Sequence, residues 1–155
     1  MKNDITIIVP CYNEQEVLPQ TLISLNKVSQ TLKSRGYEVV LLFINDGSSD
    51  STYDILYRNS KIYNEIQILS FSRNFGHQVA ITAGINNCTT KYAAIIDADL
   101  QDPPYLIPDM LDTLIQEKAE VVYGQREIRK GESMLKKITA YLFYRVLNLM
   151  SDINI

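Results

Sequence analysis

Tyr92-Ala93-Ala94-Ile95-Ile96-Asp97-Ala98-Asp99-Leu100-Gln101-Asp102-Pro103-Pro104 decides how this chain is read. The apolar run from Tyr92 to Ile96 has the length and makeup of a buried strand. The prolines that follow suit the first turn of a helix. The stretch is therefore a strand, an acidic turn and a helix start. Two carboxylates separated by one residue sit at the strand's end, and residues i and i+2 of an extended chain point the same way. Same-side carboxylates repel unless a cation lies between them. Their hard oxygens suit Mg²⁺ or Mn²⁺, and an ion so held completes its shell with substrate phosphates. A metal–diphosphate site is one reading, and an acidic loop that caps the next helix is the other.

Outward from this stretch, short apolar runs alternate with helical patterns. Strands are expected at Ile5–Val9, Val39–Ile44, Ile66–Phe71, Tyr92–Ile96 and Glu120–Gly124. Helices are expected from Gln15 to Ser34, Asp50 to Asn59, Phe75 to Asn86, Pro104 to Glu117 and Ser133 to Met150. Val17, Leu18, Leu22, Leu25, Val28 and Leu32 form one face of the first helix, and Gly36 ends it. Ser51-Thr52-Tyr53-Asp54 has the spacing of a capping box. Continuously apolar strands joined by helices predict a parallel sheet covered on both faces. Right-handed crossovers then bring every strand's carboxyl end to one edge, where such folds bind ligands. The polar motifs all fall there: Pro10–Glu14, Asn45–Asp50, Ser72–His77, Asp97–Pro104 and Gln125–Arg129. No glycine-rich dinucleotide fingerprint follows the first strand and no Walker loop occurs, so a metal and basic side chains must hold any diphosphate.

Composition agrees with a globular fold. The chain has 155 residues, 46% hydrophobic and 21% charged, the balance of one soluble domain. It has no apolar run long enough to span a bilayer. Met1–Asp4 leads directly into a strand, so no secretory signal is expected and the sequon Asn87-Cys88-Thr89 has no assigned role. Cys11 and Cys88 lack metal-ligand spacing and are expected to be reduced. Cys11 has no second histidine to activate it, His77 being the only one. Residues 1–125 hold nine Lys/Arg against fifteen Asp/Glu, and residues 126–155 hold six against three. A basic end suits an anionic partner, a phosphate or a membrane surface, or else is a solvated helix face.

Taken together, Pro10-Cys11-Tyr12-Asn13-Glu14, Asn45-Asp46-Gly47-Ser48-Ser49-Asp50, Arg73-Asn74-Phe75-Gly76, Asp97–Pro104 and Gly124-Gln125-Arg126 resemble the family 2 inverting glycosyltransferases. The nearest subgroup is the polyprenyl-phosphate sugar transferases, which include bactoprenol glucosyltransferases and dolichol-phosphate mannose synthases. Gly76-His77-Gln78 and Arg126, with Arg129-Lys130-Gly131-Glu132-Ser133, lean toward the bactoprenol type. The resemblance implies a GT-A fold, a Rossmann-like, mostly parallel sheet with helices on both faces, as one nucleotide-sugar-binding domain over residues 1–155. Members usually continue through a further acidic motif and membrane-spanning helices, so the expectation is a chain truncated at its C-terminus, with a naturally short protein as the alternative.

The implied function is metal-dependent inverting transfer of a hexose to polyprenyl (undecaprenyl) phosphate at the cytoplasmic face of the cell membrane. UDP-glucose is the first choice of donor and GDP-mannose the second. The implied roles follow the motifs. Pro10 fixes a turn, Tyr12 offers a π-face to the base, Glu14 reaches the ribose and Asp46 reads the base's ring N–H. Asp97 faces the nucleotide, while Asp99, with Gln101 beside it, holds Mg²⁺ or Mn²⁺. Arg73 and His77 are candidate donor contacts, and Arg126 and Arg129 are candidates for the acceptor phosphate. Each keeps a plainer alternative: Asp46 as a turn residue, Asp50 as a helix cap, Arg73 as a structural cation, His77 as a helix-start residue. A phosphate acceptor is largely anionic at neutral pH, its second pKa being about 6. It needs no general base, unlike a sugar hydroxyl.

Residues 132–155 combine Leu135, Ile138, Leu142, Val146 and Leu149 with Lys136, Lys137 and Arg145, a pattern of a membrane-surface helix or of core packing. No nucleic-acid partner is expected, and self-association is left open. Two other functions fit the same residues: a transferase that extends a surface polysaccharide or glycan, and a non-catalytic nucleotide-sugar-binding module.

Overall fold

A computed structural model describes residues 3–125. The expected last helix, and with it Arg126 and Arg129, lies outside the described residues. The elements follow in the order β1 (Asp4–Cys11), α1 (Leu18–Ser34), β2 (Glu38–Asn45), α2 (Thr52–Ser60), β3 (Ile66–Ser70), α3 (His77–Asn87), β4 (Tyr92–Ile95) and α4 (Ile107–Gln116). A single 3₁₀ turn, Pro104–Leu106, leads into α4.

The four strands form one parallel sheet in the order β3-β2-β1-β4. The chain first moves outward from β1 to β3, then returns to place β4 on the other side of β1. The direction of progression thus reverses between β1 and β4, and open parallel sheets bind ligands at such a reversal. Register puts Cys11 beside Asn45 and Ile8 beside Ile95, so the loops after β1, β2 and β4 leave the sheet together.

Alternation along the strands divides the core in two. Ile5, Ile7 and Val9 of β1 and Leu41 and Phe43 of β2 face Leu18, Leu22, Leu25, Val28 and Leu32 of α1, with Leu56 and Leu111. Ile8, Leu42 and Ile44 face the opposite way, toward Ala80 of α3. Gly84 lets α3 lie close to the sheet: a Cβ there would strike Ile8 Cγ2. Among the described residues, every buried side-chain nitrogen and oxygen has a partner, as the cost of an orphaned polar group requires.

Helix ends follow local chemistry. Gly36 closes α1 at φ +86°, with its N–H on the Lys33 carbonyl and the Tyr37 N–H on that of Leu32. Lys118 closes α4 by the same arrangement at φ +52°, a left-handed conformation unusual for lysine. The capping box expected at Ser51 does not form, since the Ser51 side chain makes no cap bond. Asp50 instead accepts the Thr52 N–H at 2.9 Å.

The expected fifth strand is also absent. Residues 121–125 carry no regular structure, and Val121 and Tyr123 are 76% and 81% exposed. Apolar composition alone does not make a strand: the segment is paired with neither edge strand, β3 or β4. The described residues up to Val122 belong to one compact unit.

Candidate active site

At the carboxyl edge a cleft of about 230 Å³ is lined by residues from every loop the sequence singles out near β1 and β4. Pro10, Tyr12 and Glu14 come from the β1 loop, Asp46 from β2, Asn74 and His77 from the approach to α3, and Asp97 and Asp99 from the turn after β4.

The β1 and β2 loops are laced together by side chains. The Asn13 N–H donates to Ser48 Oγ at 3.0 Å, and Asn13 Oδ1 accepts the Ser49 N–H at 2.9 Å. The Gln15 N–H donates to Asp50 Oδ2 at 3.1 Å, and the Ser51 N–H donates back to Gln15 Oε1 at 3.0 Å. Between these pairs the Glu14 N–H donates to Thr52 Oγ1 at 2.8 Å. Asn13 takes φ +56°, which asparagine tolerates better than most residues. This lacing holds Tyr12 and Glu14 at the rim. It also delays α1 until Leu18, because Gln15 is tied to the neighbouring loop. Burial costs the Asp50 carboxylate something, but its bonds to Thr52 and Gln15 outweigh this and hold its pKa below the ordinary value.

Asp46 is almost fully buried, at 3% exposure. Its Oδ1 accepts the Phe75 N–H at 2.7 Å and its Oδ2 the Gly76 N–H at 2.9 Å. It therefore joins the β2 and β3 loops while lining the cleft. Each carboxylate oxygen has a second lone pair, so a further N–H can be accepted. Beside it Gly47 sits at φ +63°, with its α-carbon against the backbone of Arg73 and Asn74. Only glycine fits that approach.

Asp97 and Asp99 are both exposed and flank the buried Ala98, the same-side placement that spacing predicts. Asp99 Oδ1 accepts the Gln101 N–H at 3.0 Å across Leu100, which takes φ +59°. Gln101 thus touches Asp99 through its backbone and does not line the cleft. His77 Nε2 stands 3.6 Å from Asp97 Oδ1, an ion pair when the imidazole is protonated. The Glu14 carboxyl is pushed above its ordinary pKa, by burial first and then by the charges of Asp99, Asp50 and Asp97. Among the described residues, no lysine or arginine lines the cleft to offset them.

Arg73 is not brought into the cleft: its guanidinium lies over the Phe75 ring, 4.5 Å from the centroid. Asn74 takes that place in the lining. The sequence marks the motif as a whole but not which of its residues faces inward, and only the Asp46 bonds to Phe75 and Gly76 set that orientation. Cys11 is buried, its Sγ 3.5 Å from the Val9 carbonyl, and burial aided by the Glu14 charge pushes its thiol far up, which leaves no thiolate for nucleophilic work. Among the described residues, no three His, Cys, Asp or Glu groups form a ready-made metal centre, and no helix is long and apolar enough to cross a membrane.

Comparison with known proteins agrees with this arrangement. The family described as Glycosyl transferase family 2 matches residues 6–152. The chain is 49% identical over 150 residues to the uncharacterized glycosyltransferase YkcC of Bacillus subtilis (strain 168), covering 97% of this chain and 45% of the relative. It is 37% identical over 147 residues to the bactoprenol glucosyl transferase of Shigella phage SfX, covering 95% and 47%. The chain thus spans about half the length of the curated relatives it matches. Among solved structures, S. aureus TarS 1–349 in complex with UDP-GlcNAc aligns with a TM-score of 0.62 at 20% identity, over 88% of this chain and 38% of that one. A Pyrobaculum calidifontis mannosyltransferase in complex with GDP-Man and Mn²⁺ aligns at 0.55 and 18% identity, over 66% and 34%. These two likenesses show a shared GT-A architecture. With most of its length matched by the family and its motifs gathered along one sheet edge, the chain belongs to glycosyl transferase family 2.

Proposed function

We propose that this chain is the donor-binding part of a metal-assisted inverting glycosyltransferase that moves a hexose from a nucleotide sugar, UDP-glucose first, to polyprenyl phosphate at the cytoplasmic membrane face. The observation that carries the proposal is the exposed pair Asp97 and Asp99, with Glu14 beside them, in a cleft lined by no lysine or arginine among the described residues. A divalent cation fits this donor set: the oxygens are hard and three carboxylates share one cleft. Asp99 and Asp97 would hold it. The solved mannosyltransferase with GDP-Man and Mn²⁺ supports this assignment.

When bound, the ion neutralises the leaving diphosphate. The residues of the chain bind and orient. Tyr12 presents its ring to the base, Asp46 accepts the base's ring N–H with its remaining lone pairs, and Glu14 hydrogen-bonds the ribose. His77, at the start of α3, meets the donor's sugar or phosphate. An acceptor phosphate is already anionic, so no group has to remove its proton, and positioning with charge neutralisation accounts for the rate. Arg126 and Arg129, outside the described residues, are proposed to hold that phosphate. The phage bactoprenol glucosyl transferase supports the lipid acceptor and the glucosyl donor.

The test has two arms. Calorimetry should show UDP bound far more tightly with Mn²⁺ than without, and Asp99→Ala should abolish the difference while circular dichroism stays unchanged. The full-length protein, given a panel of nucleotide sugars and undecaprenyl phosphate, should transfer glucose from UDP-glucose. Equal UDP affinity with and without metal would remove the metal site. Binding without transfer to any acceptor would leave a non-catalytic module.

A further inference from the structure

The turn that carries the acidic pair is held from beneath by a hydroxyl that faces no ligand. The Ile96 N–H donates to the Ile8 carbonyl at 3.1 Å, one residue past the last β4 residue in register with β1. Ala98 lies two residues further on and is 2% exposed, so its carbonyl is closed to bulk water and requires a partner. Thr21, on α1 and 1% exposed, supplies it: Oγ1 donates to the Ala98 carbonyl at 2.6 Å, from 77 positions earlier in the chain. The same Oγ1 lies 3.2 Å from the Val17 carbonyl within its own helix. A hydroxyl has one proton to give, and the shorter bond, out of the helix, takes it.

We propose that Thr21 is a positioning residue for Asp97 and Asp99. The carbonyl it grips belongs to the residue between them, so the bond sets the plane of the peptide joining Ala98 to Asp99 and with it the direction of the Asp99 carboxylate. Asp97, one residue before the gripped group, is fixed by the Ile96 bond on one side and the Ala98 bond on the other. The Asp99–Gln101 bond holds the turn from above, and Thr21 is its counterpart from the core. Thr21 does not line the cleft and touches no ligand. The inference rests on the reading of the acidic pair as a metal–diphosphate site.

The test compares Thr21→Val, which keeps the branched shape and loses the donor, with Thr21→Ser, which keeps the donor. UDP affinity is measured by calorimetry on the full chain with saturating Mn²⁺ and with chelator. Thr21→Val should weaken the Mn²⁺-dependent affinity at least about five-fold, and at most about a hundred-fold, the limit set if the whole cost of the unpartnered acceptor is felt in binding. Affinity in chelator should stay unchanged, and Thr21→Ser should bind as wild type does. Leu32→Ala, in the core at the far end of α1, serves as the stability control: it should lower the melting temperature and leave the Mn²⁺ effect intact. If Thr21→Val does not fold, Thr21→Ala is read in the same way. A wild-type Mn²⁺ effect in Thr21→Val, or an equal loss in Leu32→Ala, would overturn the proposal. Mn²⁺-independent UDP binding by the wild type would overturn the site's reading together with it.

Discussion

Asp46→Asn tests the structural role of the residue that joins two loops. The carboxylate is buried and each oxygen accepts one backbone N–H, at 2.7 and 2.9 Å. The amide keeps the shape but offers one acceptor oxygen and one NH₂. One loop N–H, Phe75 or Gly76, then faces another donor. A hydrogen bond to a charged group contributes about 1.5–3 kcal/mol, and an unmatched buried donor costs about 1–3 kcal/mol. Because the loop can give slightly and water can reach Phe75, the two losses overlap, and we expect about 2–3 kcal/mol in total. Asp46→Ala removes both acceptors but leaves room for water, so its cost should fall in the same range. Urea unfolding measures this directly, as a lower midpoint at unchanged slope. UDP binding by Asp46→Asn should weaken as well, because the loops that frame the cleft lose their tie. An unfolding free energy within about 0.5 kcal/mol of wild type, the size of an ordinary surface substitution, would refute the claim that Asp46 holds the loops.

Other substitutions probe separate parts of the fold. Gly84→Ala gains about 1 kcal/mol of helix propensity but drives a methyl into Ile8 Cγ2, which is fixed to a buried β-carbon; the net should be a loss of about 1–2 kcal/mol, read by thermal melting. Lys118→Gly should raise stability by about 0.5 kcal/mol, since glycine takes the left-handed C-terminal position of α4 without strain, and an unchanged melting temperature would count against that account. Glu14→Gln tests the sign of the acidic cluster. The folded state raises the Glu14 pKa, so it favours the protonated form, and ionised Glu14 destabilises the metal-free protein at neutral pH. The variant should therefore melt higher than wild type at neutral pH, and the gain should vanish once the pH falls below the ordinary glutamate value of 4.5. A gain that persisted in acid would point to a cause other than charge.

What the sequence reveals is the part that repeats. Apolar runs such as Ile5–Val9 and Val39–Ile44 are buried strands, and the face from Leu18 to Leu32 is buried as its spacing predicts. The polar motifs after β1, β2, β3 and β4 gather at one edge because parallel topology leaves them nowhere else. What the sequence hides is pairwise. Nothing in Asn13 or Gln15 alone announces a partner about 36 positions away, and nothing in Arg73-Asn74 says which residue turns inward. Ser51 has the spacing of a cap but loses the position to Asp50, whose carboxylate also reaches Gln15. Glu120–Gly124 has the composition of a strand, but a ladder needs a second chain segment, and composition does not supply one.

The position of β1 at the centre of the sheet has a kinetic side. Its neighbours are β2, which begins at Glu38, and β4, which begins at Tyr92. On the ribosome the parallel pairing of β1 with β2, across α1, becomes available early, but the other edge of β1 stays unpaired until some fifty further residues have emerged. Ribosomes add about 5–20 residues per second, so the apolar edge of Ile5, Ile7, Ile8 and Val9 is bare for seconds in each nascent chain. An unpaired, flat, uncharged strand edge is a template for pairing with another molecule. Chains interrupted before Tyr92 should thus associate through β1, and β4 is the strand that makes β1 safe.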